Sequence, residues 1–175
     1  MNYIKNKTLF VNPLIVNGRK IFNPSEEQLF VAGYKKYIPC GVDYEKLDCY
    51  DCSPDYEETG DEVRLIYHYT FSKAKAQKHY CKLAQEMMDE KARERNYDGI
   101  MSVCSYATSS FPKFRAEAAA CVVWRDAVWA KCYELLEAVL SGEMDIPSEE
   151  AFLALLPVMD WPDELSEGGN DGQTA

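Results

Sequence analysis

The period of the apolar residues changes along the chain, from two in its first part to three or four in its second. The stretch "EVRLIYHYTF" at 62–71 alternates, with Val63 and Leu65 on one face of the predicted strand and Arg64 on the other. The opening "MNYIKNKTLFV" holds two short runs of aromatic and β-branched residues around Asn6 and Lys7, a pattern typical of a hairpin. Residues 1–71 are therefore predicted to form a β-rich module.

One short helix and one long loop interrupt this module. In "FNPSEEQLFVAGY", Asn23 is the predicted N-cap, Pro24 the first helical residue and Gly33 the point where the helix ends. Residues 38–61 are rich in Pro, Gly, Asp, Glu and Tyr and keep no apolar period. They are predicted to form an irregular acidic loop.

Helical periodicity dominates from residue 72 onward. Ser72 is predicted to cap a helix of about 24 residues, and Asp98 to cap a shorter one. A long helix is predicted from Pro112 or Lys113 to Ser141, ended by Gly142. A short helix that Ser148 caps is predicted to follow it.

Together these patterns predict an α+β fold. A small N-terminal β-rich module, residues 1–71 with the acidic loop 38–61, precedes a bundle-like helical domain at residues 72–162. Residues 163–175 contain one leucine and are predicted to be a disordered acidic tail.

Charge narrows the range of partners. The net charge is −10, with nine acids and no Lys or Arg in residues 142–175, and nine acids against Lys46 in residues 43–62. Nucleic-acid binding requires a clustered basic face, so we expect none. The sequence has neither an apolar run of about 18 residues nor a secretory signal, which predicts a protein made in the cytoplasm without membrane contact.

The cysteines do not form a metal-binding pattern. Seven cysteines in a chain without an export signal make disulfides improbable. Cys49 and Cys52 have the spacing with which two thiolates share zinc, and Cys40, His68 or His79 are conceivable further ligands. A structural zinc site needs four ligands in a recognisable spacing, so we predict no metal and no cofactor.

Catalytic motifs are missing as well. The sequence contains no Gly-rich phosphate loop, no nucleophile elbow and no paired His-x-x-x-His. The two histidines, His68 and His79, are expected on ordinary strand and helix surfaces. We therefore predict no catalytic residue and no enzymatic activity.

The run "WRDAVW" at 124–129 is the part of the sequence that most resembles a cluster of functional side chains. Trp129 falls on the apolar face of the predicted helix and is expected to be a core anchor. Trp124 lies toward the flank of that face, where either packing or a partner surface would explain it. Arg125 is placed to cover the Trp129 ring or to pair with Asp126 or Glu117.

Residues 97–162 resemble a C-terminal segment of small proteins encoded beside the tail-fibre genes of tailed bacteriophages and prophages. The matching positions are Tyr97, Asp98, Ser105, Tyr106, Ala107, Thr108, Ser109, Glu117, Trp124, Arg125, Asp126, Trp129, Gly142, Pro147, Leu156, Pro157, Trp161 and Pro162. The opening "MNYIKNKTLF" and "NPSEEQLFVAGYKKY" also resemble the N-terminal module of such proteins. The loop 40–61 and the tail after Pro162 do not match.

The resemblance implies a structural piece or adaptor of the virion tail that acts by protein–protein interaction with tail or fibre proteins, and it implies no catalytic residue. Two alternatives stay open: an assembly chaperone absent from the finished virion, and an inhibitor of a host defence protein whose acidic surface mimics nucleic acid. An enzyme or zinc protein is a third. Small residues on the long helix, Ala116, Ala118, Ala119, Ala120 and Cys121, further predict a homo-oligomer.

Overall fold

The computed structural model describes residues 2–162, and the chain divides into two compact units after Lys75. Strands occupy the first, called the sheet unit, and helices the second, called the helical unit. This arrangement confirms the predicted α+β class. The predicted disordered tail, residues 163–175, lies outside the described residues.

The strands of the sheet unit form one mixed sheet and one separate hairpin. They are β1 (Tyr3–Lys5), β2 (Thr8–Leu9), β3 (Leu14–Val16), β4 (Arg19–Ile21), β5 (Lys35–Ile38), β6 (Tyr50–Thr59) and β7 (Glu62–Phe71). The sheet has the order β2-β1-β5-β7-β6, while β3 and β4 pair with each other. Neighbouring strands run antiparallel except β5 and β7, which are parallel.

Two of the tight turns have the same backbone form. Asn6 and Lys7 have φ values of 50° and 62°, and Asn17 and Gly18 have φ values of 50° and 77°. Two consecutive positive φ angles define the type I′ turn that suits the twist of a two-residue hairpin. The predicted β1–β2 hairpin is confirmed, whereas β3–β4 was not predicted although Asn-Gly is a strong hairpin signal.

Helix α1 (Glu26–Val31) begins two residues later than predicted. Ser25 is the N-cap: its Oγ accepts from the Gln28 amide, and the Gln28 side chain accepts from the Ser25 amide. The prediction of Asn23 as N-cap and Pro24 as first helical residue is therefore wrong, because the Ser-x-x-Gln capping box satisfies two amide donors at once. Asn23 instead has a φ of 49° and accepts from the side chain of Asn12.

The small core of the sheet unit lies beside α1. Tyr3, Leu14 and Leu29 are buried together, and Phe30 packs edge-on against Tyr3. The Tyr3 hydroxyl donates to Glu26 Oε1 at 2.5 Å, which raises the pKa of Tyr3 to about 12. This hydrogen bond fixes the first turn of the helix to β1.

The predicted irregular loop at 38–61 is wrong over residues 50–59, which form strand β6. Tyr50, Cys52 and Tyr56 alternate with exposed Asp51 and Asp55, so the acids face solvent. The ladder to β7 satisfies the backbone groups on one side of the strand. A short 3₁₀-helix, Glu45–Asp48, precedes the strand, and Gly60, with φ of 53°, begins its two-residue turn into β7. An acidic composition thus did not exclude an outer strand.

The helical unit packs its elements around one apolar core. The elements are α2 (Lys73–Arg93), α3 (Ile100–Cys104), a 3₁₀-helix at Ser105–Thr108, α4 (Pro112–Ser141) and α5 (Glu149–Leu155), with the boundary between the units in the first turn of α2. The buried core residues are Ala84, Met88, Ala92, Ile100, Val103, Cys121, Trp124, Val128, Leu135, Phe152, Leu156 and Met159. Every element of the unit except the 3₁₀-helix contributes at least one of them.

Helix α3 is capped by a residue from another helix. The Ile100 amide donates to Asp89 Oδ1 at 2.8 Å, and Gly99 is the N-cap, so the predicted cap Asp98 is wrong. A Cβ atom on Gly99 would lie 2.6 Å from the same Asp89 oxygen. Glycine is therefore required here for close approach, and Asp89 accepts one of the free amides at the start of α3.

Candidate functional site

The "WRDAVW" run lies in the middle of α4 and is chiefly a packing element. Trp124 is only 7% exposed, and its indole Nε1 donates to the Pro157 carbonyl at 2.7 Å. Trp129 is half-buried and contacts the same core, as predicted. A partner surface built around Trp124, the alternative left open by the sequence, is contradicted by this burial.

Arg125 and Asp126 form a local pair at the surface. Arg125 Nε and Nη2 donate to the same Asp126 oxygen at 3.0 and 2.8 Å, which raises the pKa of Arg125. Of the partners expected for Arg125, the structure selects Asp126. Because Asp126 is exposed, this pair contributes little to stability.

Glu117 is buried among the described residues of the helical unit, although its burial was not predicted from the sequence. It is 4% exposed, accepts from the Tyr97 hydroxyl at 2.6 Å and lies 3.7 Å from Arg95 Nη1. Burial and the hydrogen bond to Glu117 both raise the pKa of Tyr97. Its position four residues before Cys121, on the apolar face of the helix, is the signal that would have identified it.

The segment after α5 is held by similar contacts. Trp161 Nε1 donates to Glu94 Oε2 at 2.9 Å, and the Arg95 guanidinium lies 5.6 Å from the Trp161 ring centroid. Lys91 and the Trp161 indole hold the pKa of Glu94 below its usual value.

The contacts Tyr97–Glu117 and Trp124–Pro157 each join two positions of the resemblance pattern, so these distant sequence positions are neighbours in space.

Three aromatic rings in and just before the first turn of α4 are exposed. Tyr106, Phe111 and Phe114, called here the exposed aromatic cluster, are 41%, 65% and 38% exposed. Their ring centroids lie 5.6 Å apart for Tyr106 and Phe114 and 5.8 Å apart for Phe111 and Phe114, and Tyr106 also contacts Tyr97 at 5.6 Å. These separations are typical of interacting aromatic pairs. The cluster thus continues outward from the buried Tyr97–Glu117 contact.

Two cations lie next to the exposed aromatic cluster. Lys113 and Arg115 are exposed at the start of α4, and Arg115 Nη1 donates to the Ser109 carbonyl at 3.2 Å. Phe111 provides the N-cap backbone and Pro112 the first helical residue. The rings therefore project from a backbone that helix geometry fixes, with positive charge beside them.

The helical thiols are poor nucleophiles. Burial raises the pKa of Cys121 to about 12 and that of Cys132 to about 11. Burial also raises the pKa of Cys81 and Cys104. These four side chains stay protonated near neutral pH and pack as small apolar groups, since the thiolate is the reactive form.

The structure separates the residues considered as zinc ligands. Cys49 is buried before β6, Cys52 is half-buried within it, and Cys40 is exposed. Within the described part of the chain, none of these cysteines belongs to a group of three His, Cys, Asp or Glu ligand atoms close enough to share an ion. His68 pairs with Asp55 at 3.4 Å, and His79 with Glu149 at 3.0 Å.

Much of the acidic stretch 43–62 is paired with lysine or histidine side chains. Its paired acids are Asp43 with Lys46, Asp51 with Lys75, Asp55 with His68, Glu58 with Lys35, and Glu62 with Lys36. These pairs reduce the free negative charge that a nucleic-acid mimic would need. Residues 50–59 of the stretch form strand β6 at the edge of the sheet, and the surface of the stretch carries less unpaired negative charge than its composition indicates.

The predicted packing surface for a second copy is also altered. Ala118 and Cys121 are fully buried in the core of their own unit. Ala116 and Ala120 are half-buried, and Ala119 is exposed. The same helix also exposes Val123, Ala127 and Tyr133.

Comparison of the chain with known protein families, with curated proteins and with solved structures returns no match. None of the helices at residues 2–162 combines the length and the apolar character that crossing a bilayer requires.

Proposed function

We propose that this protein is an accessory protein of a phage tail or tail fibre, synthesised in the host cytoplasm and acting in the virion tail through protein–protein interaction. The exposed aromatic cluster is the observation that carries the proposal. Its three rings belong to the segment that resembles proteins encoded with tail-fibre genes. They are exposed in a unit whose other described large aromatic side chains, apart from the exposed Tyr133, contribute to packing or hydrogen bonds.

The cluster has the chemistry of an interface centre. Covering a Phe or Tyr side chain contributes about 1.5–3 kcal/mol, and aromatic anchors are the residues most often critical in protein interfaces. Phe114 and Tyr106 contact each other, so the rings lose little side-chain freedom on binding. Lys113 and Arg115 favour a partner surface that is apolar at its centre and acidic at its rim.

The test is binding between the purified chain and the products of the neighbouring genes, first among them the tail-fibre protein. We expect Phe111→Ala combined with Phe114→Ala to weaken the complex at least thirtyfold, because two anchors of about 1 kcal/mol or more each are lost. Phe22→Ala is the matched control, since Phe22 is 68% exposed but lies in the sheet unit. Equal binding by the double variant and the control would refute the assignment of the interface.

The same complex would form whether the protein stays in the virion or leaves it. Mass spectrometry of purified virions separates these cases: a structural piece is present at a fixed ratio to the fibre protein, and an assembly chaperone is absent.

We also propose self-association through the exposed side of α4. Val123 and Tyr133 are 72% and 67% exposed on this helix. Sedimentation of the wild type is expected to give a species larger than the 20.0 kDa chain, and Val123→Glu is expected to restore the single chain. A wild type that sediments as one chain at micromolar concentration removes this part of the proposal.

A further inference from the structure

A pocket of about 250 Å³ opens in the sheet unit. Ile4 and Val63, both nearly inaccessible, form its apolar base. The remaining lining comes from Lys5, Lys7, Lys35, Tyr56 and Glu58, with Asn6 and Gly33 at the edge. The pocket therefore combines an apolar base and one aromatic ring with several charged groups.

Three ammonium groups meet one carboxylate here, in a chain whose net charge is −10. Lys35 Nζ pairs with Glu58 at 2.6 Å, and Lys5 Nζ donates to the Ala32 carbonyl at 2.6 Å. Each ammonium has three N–H donors, so both lysines keep donors beyond these contacts. Among the lining side chains the charge balance is positive, against the trend of the whole chain.

Lys7 occupies this position at a conformational cost. Its φ of 62° lies in the left-handed region, which costs a residue with a Cβ roughly 1–2 kcal/mol. The equivalent position of the β3–β4 hairpin is Gly18, which has no such cost. Lysine at this turn places its Nζ 5.6 Å from the Tyr56 ring centroid, within the pocket wall.

Strain of this kind accumulates at functional sites, where a side chain is needed despite the backbone it requires. The hairpin itself would be more stable with Asn-Gly, the sequence its neighbour uses. A role for the Lys7 ammonium explains why the turn carries a lysine.

We propose that this pocket binds a small organic anion that carries a phosphate or carboxylate group on an apolar or aromatic part. The three lysines neutralise the anionic group, while Tyr56 and the Ile4–Val63 base contact the apolar part. Lysine acts as a point charge without the planar fork of arginine, so charge is recognised more than shape. The volume lies just under the usual range for drug-sized ligands, which favours a compact molecule. The pocket is independent of the exposed aromatic cluster.

The experiment is a titration of the full chain with phenyl phosphate, followed by the amide and side-chain NMR signals of Lys7, Tyr56 and Val63. We expect saturable shifts confined to the pocket and weaker affinity at high salt. Inorganic phosphate is expected to bind several-fold more weakly, and benzyl alcohol, which is neutral, not to bind measurably. Absence of saturation, or equal binding of benzyl alcohol, overturns the proposal.

Two variants test the part assigned to Lys7. Lys7→Asn keeps a residue that tolerates the left-handed region, and Lys7→Gly matches the neighbouring hairpin; both are expected to fold with unchanged or higher melting temperature. Both should bind phenyl phosphate about fivefold more weakly, the effect of one partly exposed ion pair. Lys36→Gln is the control, because Lys36 is exposed on β5 and absent from the pocket lining. Unchanged affinity in both Lys7 variants, or an equal loss in the control, contradicts the assignment.

Discussion

The sheet unit and the helical unit are stabilised in different ways. The helical unit buries twelve clustered residues and places polar contacts, Tyr97–Glu117 and Trp124–Pro157, inside or beside that core. The sheet unit buries Tyr3, Leu14 and Leu29 as a cluster and carries ion pairs between exposed side chains. Buried polar contacts specify one arrangement more strictly than exposed ion pairs, which are weak and screened by salt.

This difference can be measured in one chain. All three tryptophans, Trp124, Trp129 and Trp161, belong to the helical unit, so indole fluorescence follows that unit. Hydrogen exchange of strand amides follows the sheet unit. The predictions below use the two measurements together, in order of decreasing effect.

Removal of the Trp124 side chain should have the largest effect. Trp124→Ala is expected to destabilise the helical unit by about 3–5 kcal/mol, because it leaves a cavity and an unpaired Pro157 carbonyl. Trp124→Phe, which keeps most of the ring volume, should cost clearly less. Chemical denaturation followed by the two remaining tryptophans measures both. Equal losses in the two variants would show that packing of the indole contributes little.

Leu29→Ala tests the smaller core. We expect a loss of about 2–4 kcal/mol in the sheet unit, since Leu29 is fully buried beside Tyr3. Exchange of the β1 and β5 amides should accelerate while the tryptophan transition stays in place. A tryptophan transition that shifts by the same amount would mean that the two units unfold as one, and the comparison would fail.

Tyr97→Phe should cost about 1–3 kcal/mol, because Glu117 stays buried without its hydroxyl donor. The folded pKa of Tyr97 is raised above its ordinary value of 10.0, so its contribution is complete below pH 10 and is lost as the pH rises through the higher folded value.

The wild type should therefore lose stability above pH 10 more steeply than the variant. Denaturation midpoints between pH 8 and pH 11 check this. Parallel profiles would contradict the role of this hydrogen bond. Burial raises the pKa of Cys121 and Cys132 in the wild type and in the variant alike. These thiols therefore do not affect the difference between the two pH profiles.

Lys35→Gln should have the smallest effect. Its ion pair with Glu58 is partly exposed, so we expect a loss of less than about 1 kcal/mol, which should vanish at 1 M salt. Amide exchange of β5 and β6 measures it. A loss of several kcal/mol that persists in 1 M salt would show that this ion pair stabilises the sheet unit as strongly as a buried polar contact. That result would contradict the difference proposed between the two units.

The sequence predicted most helices because their apolar residues repeat over many turns. It placed the start of α4 at Pro112 or Lys113 and its end at Gly142, whose φ is 77°. It did not predict β6, because Pro54 and the carboxylates mask a short alternation of Tyr50, Cys52 and Tyr56. Period-two patterns over so few residues are easily hidden by composition.

The cap of α3 and the buried acid were harder to predict, since each depends on a tertiary contact. Asp89 caps α3 from α2, and Glu117 meets Tyr97 twenty residues earlier in the chain. Local sequence around Asp98 suggested a cap that the fold supplies from elsewhere. The choice between packing and a partner surface for Trp124 also depended on a tertiary contact, because the Pro157 carbonyl lies far away in sequence.

Strand β6, at one edge of the sheet, affects the tendency of the protein to aggregate. A ten-residue strand at the margin of a sheet offers a template on which other molecules can stack into filaments. Pro54 interrupts its row of amide donors, and Asp51, Asp55 and Glu57 repel an identical neighbour at neutral pH. Dissolved salt screens that repulsion, so we expect turbidity and fibril formation to begin as the salt concentration rises, well before the helical core unfolds.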